Sequence, residues 1–165
     1  MAVLKGARVI ATVGSAAKAA LARAAGVTDT IDYKTENVTQ RVKDLTGGRG
    51  VDGIVDMDFS TTSNLVREGA LAPHGTVACY GSNSAEDPTV PFRIMLFTSL
   101  SLQFFLVYDL SAADRAFALR ELSALLETGR LTHTIGARFK LEDIAAAHEA
   151  VERGTVLGNV VIDLE

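Results

Sequence analysis

The sequence predicts an α/β protein built on a doubly wound, parallel sheet. Three observations lead there. Strand-like and helix-like segments alternate along the chain. The strand-like segments are Val/Ile-rich runs rather than clean alternations of apolar and polar residues, as strands buried on both faces require. Glycines or a proline close most of the segments, so each crossover is short, and right-handed crossovers wind such a sheet in both directions.

Taken in order, Ala7 to Val13 reads as a strand ended by Gly14. Ser15 caps a helix to about Ala25, stopped by Gly26. Thr30 to Tyr33 is a short strand, and Asn37 to Thr46 a helix stopped by Gly47 and Gly48. Val51 to Asp56 is a strand, Ser60 to Leu71 a helix ended before Pro73, and Gly75 to Tyr80 a strand closed by Gly81. A polar loop over 82–91 leads to a short apolar turn or helix and a strand from Leu100 to Val107. Ser111 and Asp114 form a capping box on a helix to about Thr128. Its apolar residues Phe117, Leu119, Leu122, Leu125 and Leu126 recur at near-helical spacing. Thr134 to Phe139 is extended, Glu142 to Arg153 helical, and Gly158 to Leu164 a last strand.

Composition narrows the function classes. A chain of 165 residues, 48% apolar and 22% charged, suffices for one domain with a true core. A net charge of −4 with no basic run does not describe a nucleic-acid binder. The longest apolar stretch, Ile94 to Leu106, is broken by Thr98, Ser99, Ser101 and Gln103, short of the roughly 18 residues of a membrane span. The N-terminus shows no charged, apolar, then small-residue order, so no signal peptide is expected. The single cysteine, Cys79, excludes an intramolecular disulfide and a multi-cysteine zinc site. Within Val77-Ala78-Cys79-Tyr80 it reads as a small buried residue, in keeping with a cytoplasmic location.

Two motifs read as decoys. Gly48-Arg49-Gly50-Val51-Asp52-Gly53 matches G-x-G-x-x-G, but it follows a helix and enters a strand. A dinucleotide-binding turn needs the reverse, because the pyrophosphate sits on a helix N-terminus. Ser15-Ala16-Ala17-Lys18 matches Ser-x-x-Lys without the partner motifs of serine β-lactamases. The histidines, His74, His133 and His148, are scattered and form no ligand-spaced cluster, so no metal site is expected.

The end of the first strand-like run carries more information. In a dinucleotide-binding sheet an acid at the end of the second strand binds the adenosine ribose, whereas its absence beside a cation suits a 2′-phosphate. Here Thr12-Val13-Gly14-Ser15 holds no acid, and Lys18 follows on the first helical turn. Spacing alone leaves a solvated surface lysine equally open.

The run GARVIATVGSAAKAALARAAGVTDTIDY, then VTQRVKDLTGGRGVDGIVD, resembles the quinone oxidoreductase (zeta-crystallin-like) branch of the medium-chain dehydrogenase/reductase superfamily. Gly158-Asn159-Val160-Val161 resembles that branch's closing Gly-Lys-Val-Val strand. The resemblance spans essentially the whole chain and implies a Rossmann-like domain that lacks the first strand and its glycine-rich turn. On this view residues 1–131 are an incomplete dinucleotide-binding domain, and 132–165 a segment that returns to the catalytic domain. Met1 to Gly6 reads as the tail of a helix. The resemblance implies NADPH as cofactor, Lys18 and Tyr33 at its 2′-phosphate, and Tyr80-Gly81-Ser82 backing the nicotinamide ribose. With Gly14 and Ser15 these are the cofactor-binding residues expected; no residue is nominated as catalytic.

Two local departures stand out. The branch's Asp-x-Val-Gly reads Asp56-Met57-Asp58-Phe59 here, where a phenylalanine stands to crowd the coenzyme, and Asn159 replaces a lysine. The implied activity is zinc-independent hydride transfer from NADPH to a quinone, an enone or another conjugated carbonyl, with the isolated chain expected to be inactive. An enoyl reductase would differ only in substrate. The alternative is a non-catalytic assembly module, since Ser101 to Tyr108 is an uncharged apolar run until Tyr108 and an apolar edge strand tends to pair with a copy of itself. A homodimer through residues 100–107 is expected on either reading. A missing central strand would leave a slot; direct pairing of residues 8–13 with 51–56 is the expected closure, and the alternative is a strand borrowed from a second copy, Gly158 to Leu164.

Overall fold

The computed structural model describes residues 1–131 and 133–164. The chain gathers into two compact units, residues 31–117 and residues 1–30 with 118–165. The domain boundary expected at 131/132 meets Thr132, which lies outside the described residues.

Residues 31–117 are organised by a three-stranded sheet. β3 (Val51–Asp56), β4 (Leu71–Cys79) and β5 (Ser101–Phe104) stand in the order β3-β4-β5, all parallel. Helices α2 (Val38–Leu45), α3 (Phe59–Arg67) and α4 (Phe92–Phe97) lie between them in sequence. Asn37 caps α2 by accepting the Gln40 N–H at 2.8 Å. Gly47, Gly48 and Gly50, with φ of 62°, 85° and 86°, then turn the chain into β3. At Gly50 a Cβ would sit 2.7 Å from the Ala70 carbonyl, so this turn needs a glycine for space as well as for angle. The G-x-G-x-x-G match is thus a helix stop and a strand entry.

The helix expected over 60–71 ends sooner. Gly69 takes φ 83° and the Ala70 N–H closes back on the Leu65 carbonyl at 2.9 Å, a left-handed glycine stop. Leu71 is thereby released into β4 and pairs with Val51. β4 also holds Pro73, which was expected only to end the helix. The register jumps from Val51↔Leu71 to Gly53↔Thr76, so Pro73, which has no N–H to give, and His74, at φ 63°, bulge out of the ladder. β5 is shorter than the strand expected over 100–107, because Val107–Asp109 turn into a 3-10 helix.

The core of this unit is Phe59, Val66, Leu71, Val77 and Cys79, with Ile54, Met95 and Leu102 packed against it. Phe59 meets Phe104 edge to face at 5.6 Å between centroids. Fully burying an apolar side chain of this size stabilises by about 1.5–3 kcal/mol, so these residues fix β3, β4 and the start of α3 as one body.

The other unit is thinner. β1 (Ile10–Val13) leads into α1 (Ala16–Ala24), then to β2 (Asp29–Asp32), whose last residues pass into the first unit. Arg8 and Asp29 form an ion pair at 2.9 Å, and Arg23 donates to the Thr30 hydroxyl at 2.7 Å. Val3–Lys5 make a single 3-10 turn ended by Gly6. α5 (Ala112–Glu127) begins in the first unit, where Ser111 Oγ makes the expected capping box by accepting the Asp114 N–H and donating to its carboxylate at 2.6 Å, and continues into this one. β6 (Ile135–Lys140) and β7 (Asn159–Asp163) pair in parallel on either side of α6 (Ile144–Glu152) in sequence.

The strand closure expected between residues 8–13 and 51–56 would run from one unit to the other. Among the described residues β1 is sheeted with β2, β3 with β4 and β5, and β6 with β7. The expected closure rested on the cost of burying unpaired backbone groups. Asp52, Gly53 and Val55 of β3 are exposed.

Candidate cofactor site

The residues expected to hold a cofactor fall in two groups, each local to one unit, with Tyr33 apart from both. In the first group Val13 ends β1 buried, Gly14 forms the bend, and Ser15 takes an extended conformation as N-cap of α1. Ser15 Oγ accepts the Lys18 N–H at 3.3 Å, so the Ser-x-x-Lys match is a helix cap. The cap aligns the first turn, whose free N–H groups and dipole favour an anion. Lys18 is exposed there, and its ammonium has no hydrogen-bond or ion-pair partner among the described residues.

Tyr33 belongs to the other unit. It follows β2 directly and is 54% exposed. Around it the Asp32 carboxylate accepts the Lys34 N–H at 3.0 Å, and Glu36 accepts the Asp32 N–H at 2.8 Å. These bonds shape the turn and leave the Tyr33 ring outside.

The second group, Tyr80-Gly81-Ser82, leaves the C-terminal end of β4. Loops at the C-terminal ends of parallel strands are where open α/β sheets bind ligands. The Tyr80 N–H donates to the Asp56 carbonyl at 3.0 Å, extending the β3–β4 register by one residue. Gly81 lies so close to β3's end that a Cβ would be 2.6 Å from the Met57 carbonyl oxygen. Only glycine fits that approach. Ser82 Oγ donates to the Ser84 carbonyl at 3.0 Å and accepts the Ser84 N–H at 3.3 Å. An open cleft of about 700 Å³ runs past this turn, lined by Phe59, Cys79, Tyr80, Phe104, Phe105 and the loop 84–88. Tyr80 leans on Phe105 with 6.0 Å between ring centroids.

Phe59 was expected to crowd a coenzyme. It is 3% exposed and belongs to the core, touching the cleft from its floor. The sequence reading missed its neighbour Asp58. That carboxylate accepts the Asn83 N–H at 3.1 Å and the Thr61 hydroxyl at 3.0 Å, and also the Ser60 hydroxyl. The Ser60 hydroxyl, then the Asn83 N–H, hold the Asp58 carboxyl below the usual carboxylate range. Ser60 and Thr61 two and three residues on were a local signal for it. The contact to Asn83 had none.

The model of the family described as "Zinc-binding dehydrogenase" matches residues 25–162 of this chain. This chain belongs to the zinc-binding dehydrogenase family. It is similar to the quinone oxidoreductase of Pseudomonas aeruginosa, with 31% identity over 95% of this chain and 49% of that protein. Among solved structures it is similar to an NAD-dependent alcohol dehydrogenase, with 32% identity and a TM-score of 0.85 over 99% of this chain and 46% of that one. It is also similar to a mycobacterial protein solved in complex with NADPH, with 30% identity and a TM-score of 0.82 over 98% of this chain and 50% of that one. The chain spans about half the length of the curated relatives it matches. Its parallel α/β build is that of the Rossmann-like C-terminal part of medium-chain, quinone-oxidoreductase-type members of the family.

The family's zinc finds no match here. No group of three or more His, Cys, Asp or Glu among the described residues is placed to hold a metal ion, and Cys79 is buried.

Proposed function

We propose that this zinc-binding-dehydrogenase family chain supplies the adenosine and nicotinamide-ribose contacts of an NADPH-dependent quinone or enone reductase. The observation that carries this reading is the acid-free end of β1 followed by a capped helix whose Lys18 ammonium has no partner among the described residues. A 2′-phosphate fits that cation and helix terminus, where the ribose hydroxyls of NADH would call for a carboxylate. The bound coenzyme would supply the hydride, and the chain's residues supply position. Lys18 and the Ser15-capped turn would face the 2′-phosphate. Gly81, with no side chain, would let a ribose approach the turn that Tyr80 and Ser82 flank. Tyr33, the other residue expected at the phosphate, is a separate variant, Tyr33→Phe. A cytoplasmic location, and the division into 1–131 and 132–165, belong to the same reading.

The test uses the purified chain and two small probes, adenosine 2′,5′-bisphosphate and adenosine 5′-monophosphate. A charge-assisted contact contributes about 1.5–3 kcal/mol, or roughly ten- to a hundredfold in affinity. The bisphosphate should bind about tenfold more tightly, and Lys18→Ala should abolish that difference while sparing the monophosphate. Equal losses for both probes would refute the assignment. Mixed with NADPH and a quinone, the chain alone is expected to show no enzymatic rate, because its G-x-G-x-x-G match enters a strand and cannot fix the pyrophosphate on a helix N-terminus.

A homodimer through residues 100–107 accompanies this reading and equally serves a non-catalytic assembly module. β5 is the last strand of its sheet, and Phe104, Leu106, Val107 and Tyr108 are 63%, 52%, 51% and 86% exposed. Such an apolar edge invites pairing with a copy of itself. Gln103→Lys with Phe105→Lys should give monomers by light scattering, and an unchanged dimer mass would exclude this surface.

A further inference from the structure

We infer that Asp58 is a positioning residue whose carboxylate latches the loop after β4, so that the Tyr80–Ser82 turn and the wall of the cleft are held by the cap of α3. Asp58 occupies the N-cap position of α3, yet its side chain makes no capping bond to the helix backbone. It turns instead to a segment 25 residues away, where the Asn83 N–H donates to Oδ1 at 3.1 Å. Ser60 donates to the same oxygen, and Thr61 to Oδ2 at 3.0 Å. Three donors thus aim one carboxylate at the loop and keep it ionised, and ionised acceptors make the stronger hydrogen bonds.

The latch has a rigid base. Asp56 is 5% exposed; its Oδ1 accepts the Asp58 N–H at 2.9 Å and its Oδ2 the Thr62 hydroxyl. The Asp56 carbonyl takes the Tyr80 N–H, and Gly81 rests against the Met57 carbonyl. Residues 56–58 therefore touch each successive part of the turn, and Asp58 makes the last of these contacts. The valine of the resembling Asp-x-Val-Gly pattern has no acceptor and could not make it. Beyond Asn83 the loop runs along the cleft at residues 84–88, beside Cys79, whose thiol donates to the Gly81 carbonyl at 3.3 Å. Cys79 is 4% exposed and is the chain's one thiol, which makes it a reporter for loop opening.

The inference rests on the proposed cofactor reading only for what the turn would hold; the latch is testable without any coenzyme. The probe is dithiobis(nitrobenzoate), reacting with Cys79 in the purified chain. Asp58→Ala removes both carboxylate oxygens and should speed labelling about tenfold or more, since access then follows the population of the opened loop. Asp58→Asn keeps one oxygen for Asn83 and should return most of the protection. A labelling rate unchanged in Asp58→Ala with native circular dichroism would overturn the latch, and so would equal acceleration in Asp58→Asn. Should Asp58→Ala not fold, amide hydrogen exchange on the unaltered chain decides. The Asn83 N–H should exchange about tenfold more slowly than those of Ala85 and Asp87 in the same exposed loop. Equal rates overturn the proposal. Neither readout contains a nucleotide, so its failure and the failure of the Lys18 assignment are separate results.

Discussion

Residues 31–117 and the unit made of 1–30 with 118–165 use apolar side chains differently. In the first, Ile31, Val42, Phe59, Val66, Leu71, Val77 and Cys79 are all buried, and five of them form one cluster. In the second the buried apolar residues are Val13, Ala19 and Ala147. α5 carries a near-helical apolar pattern, yet it buries no residue, and Leu119 and Leu126 are 56% and 45% exposed. The difference teaches that periodicity states which side chains share a face. Whether the face is covered depends on what the rest of the chain brings to it.

The largest expected effect tests the dense unit. Phe59→Ala should cost about 3–5 kcal/mol in urea unfolding, from lost burial and the cavity left beside Phe104. A loss under about 1 kcal/mol would mean that the cluster is not the core of its unit. Next comes the buried Thr39, 4% exposed, whose hydroxyl donates to Glu68 at 2.6 Å. Thr39→Val keeps the shape and removes this bond, with about 1 kcal/mol lost by the same measurement.

The thin unit should respond far less. Leu119→Gln and Leu126→Gln are expected to cost far less than Phe59→Ala, about 1 kcal/mol or under, since Leu119 and Leu126 stay 56% and 45% exposed. A loss near that of Phe59→Ala would show that α5 is covered in solution, for instance in a dimer. The smallest effect belongs to Lys5 and Glu121, paired at 2.6 Å on the surface. The Lys5 hydrogen bond holds the Glu121 carboxyl below its ordinary range. A lowered folded-state value means that this contribution is present above the ordinary carboxylate range and is lost as pH falls through the lowered value. Melting temperature in low salt should therefore drop slightly more on acidification than in Glu121→Gln, and the difference should vanish in high salt.

Much of the fold was legible from local chemistry. The caps at Ser15 and Ser111 were written in side chains that bond within three residues, and the glycine stops in residues that admit positive φ. β3 ran over Val51–Asp56 as read. The errors occurred where a distant segment decides. Leu71 reads as the end of a helical face, but Gly69 breaks the helix and Val51 claims Leu71 for a strand.

The candidate site divides along the same line. The sequence by itself determined the Ser15 cap, the acid-free end of β1, Lys18 on the first turn of α1 and the Tyr80-Gly81-Ser82 turn, because each depends on residues a few positions apart. Only the tertiary structure decided that Phe59 turns into the core, that Gly81 must lack a side chain against the Met57 carbonyl, and that Asp58 reaches Asn83. Those contacts join the ends of β3 and β4, which the parallel ladder sets side by side although more than twenty residues separate them in the chain. A hydrogen bond formed at that distance leaves no periodicity for a sequence to display.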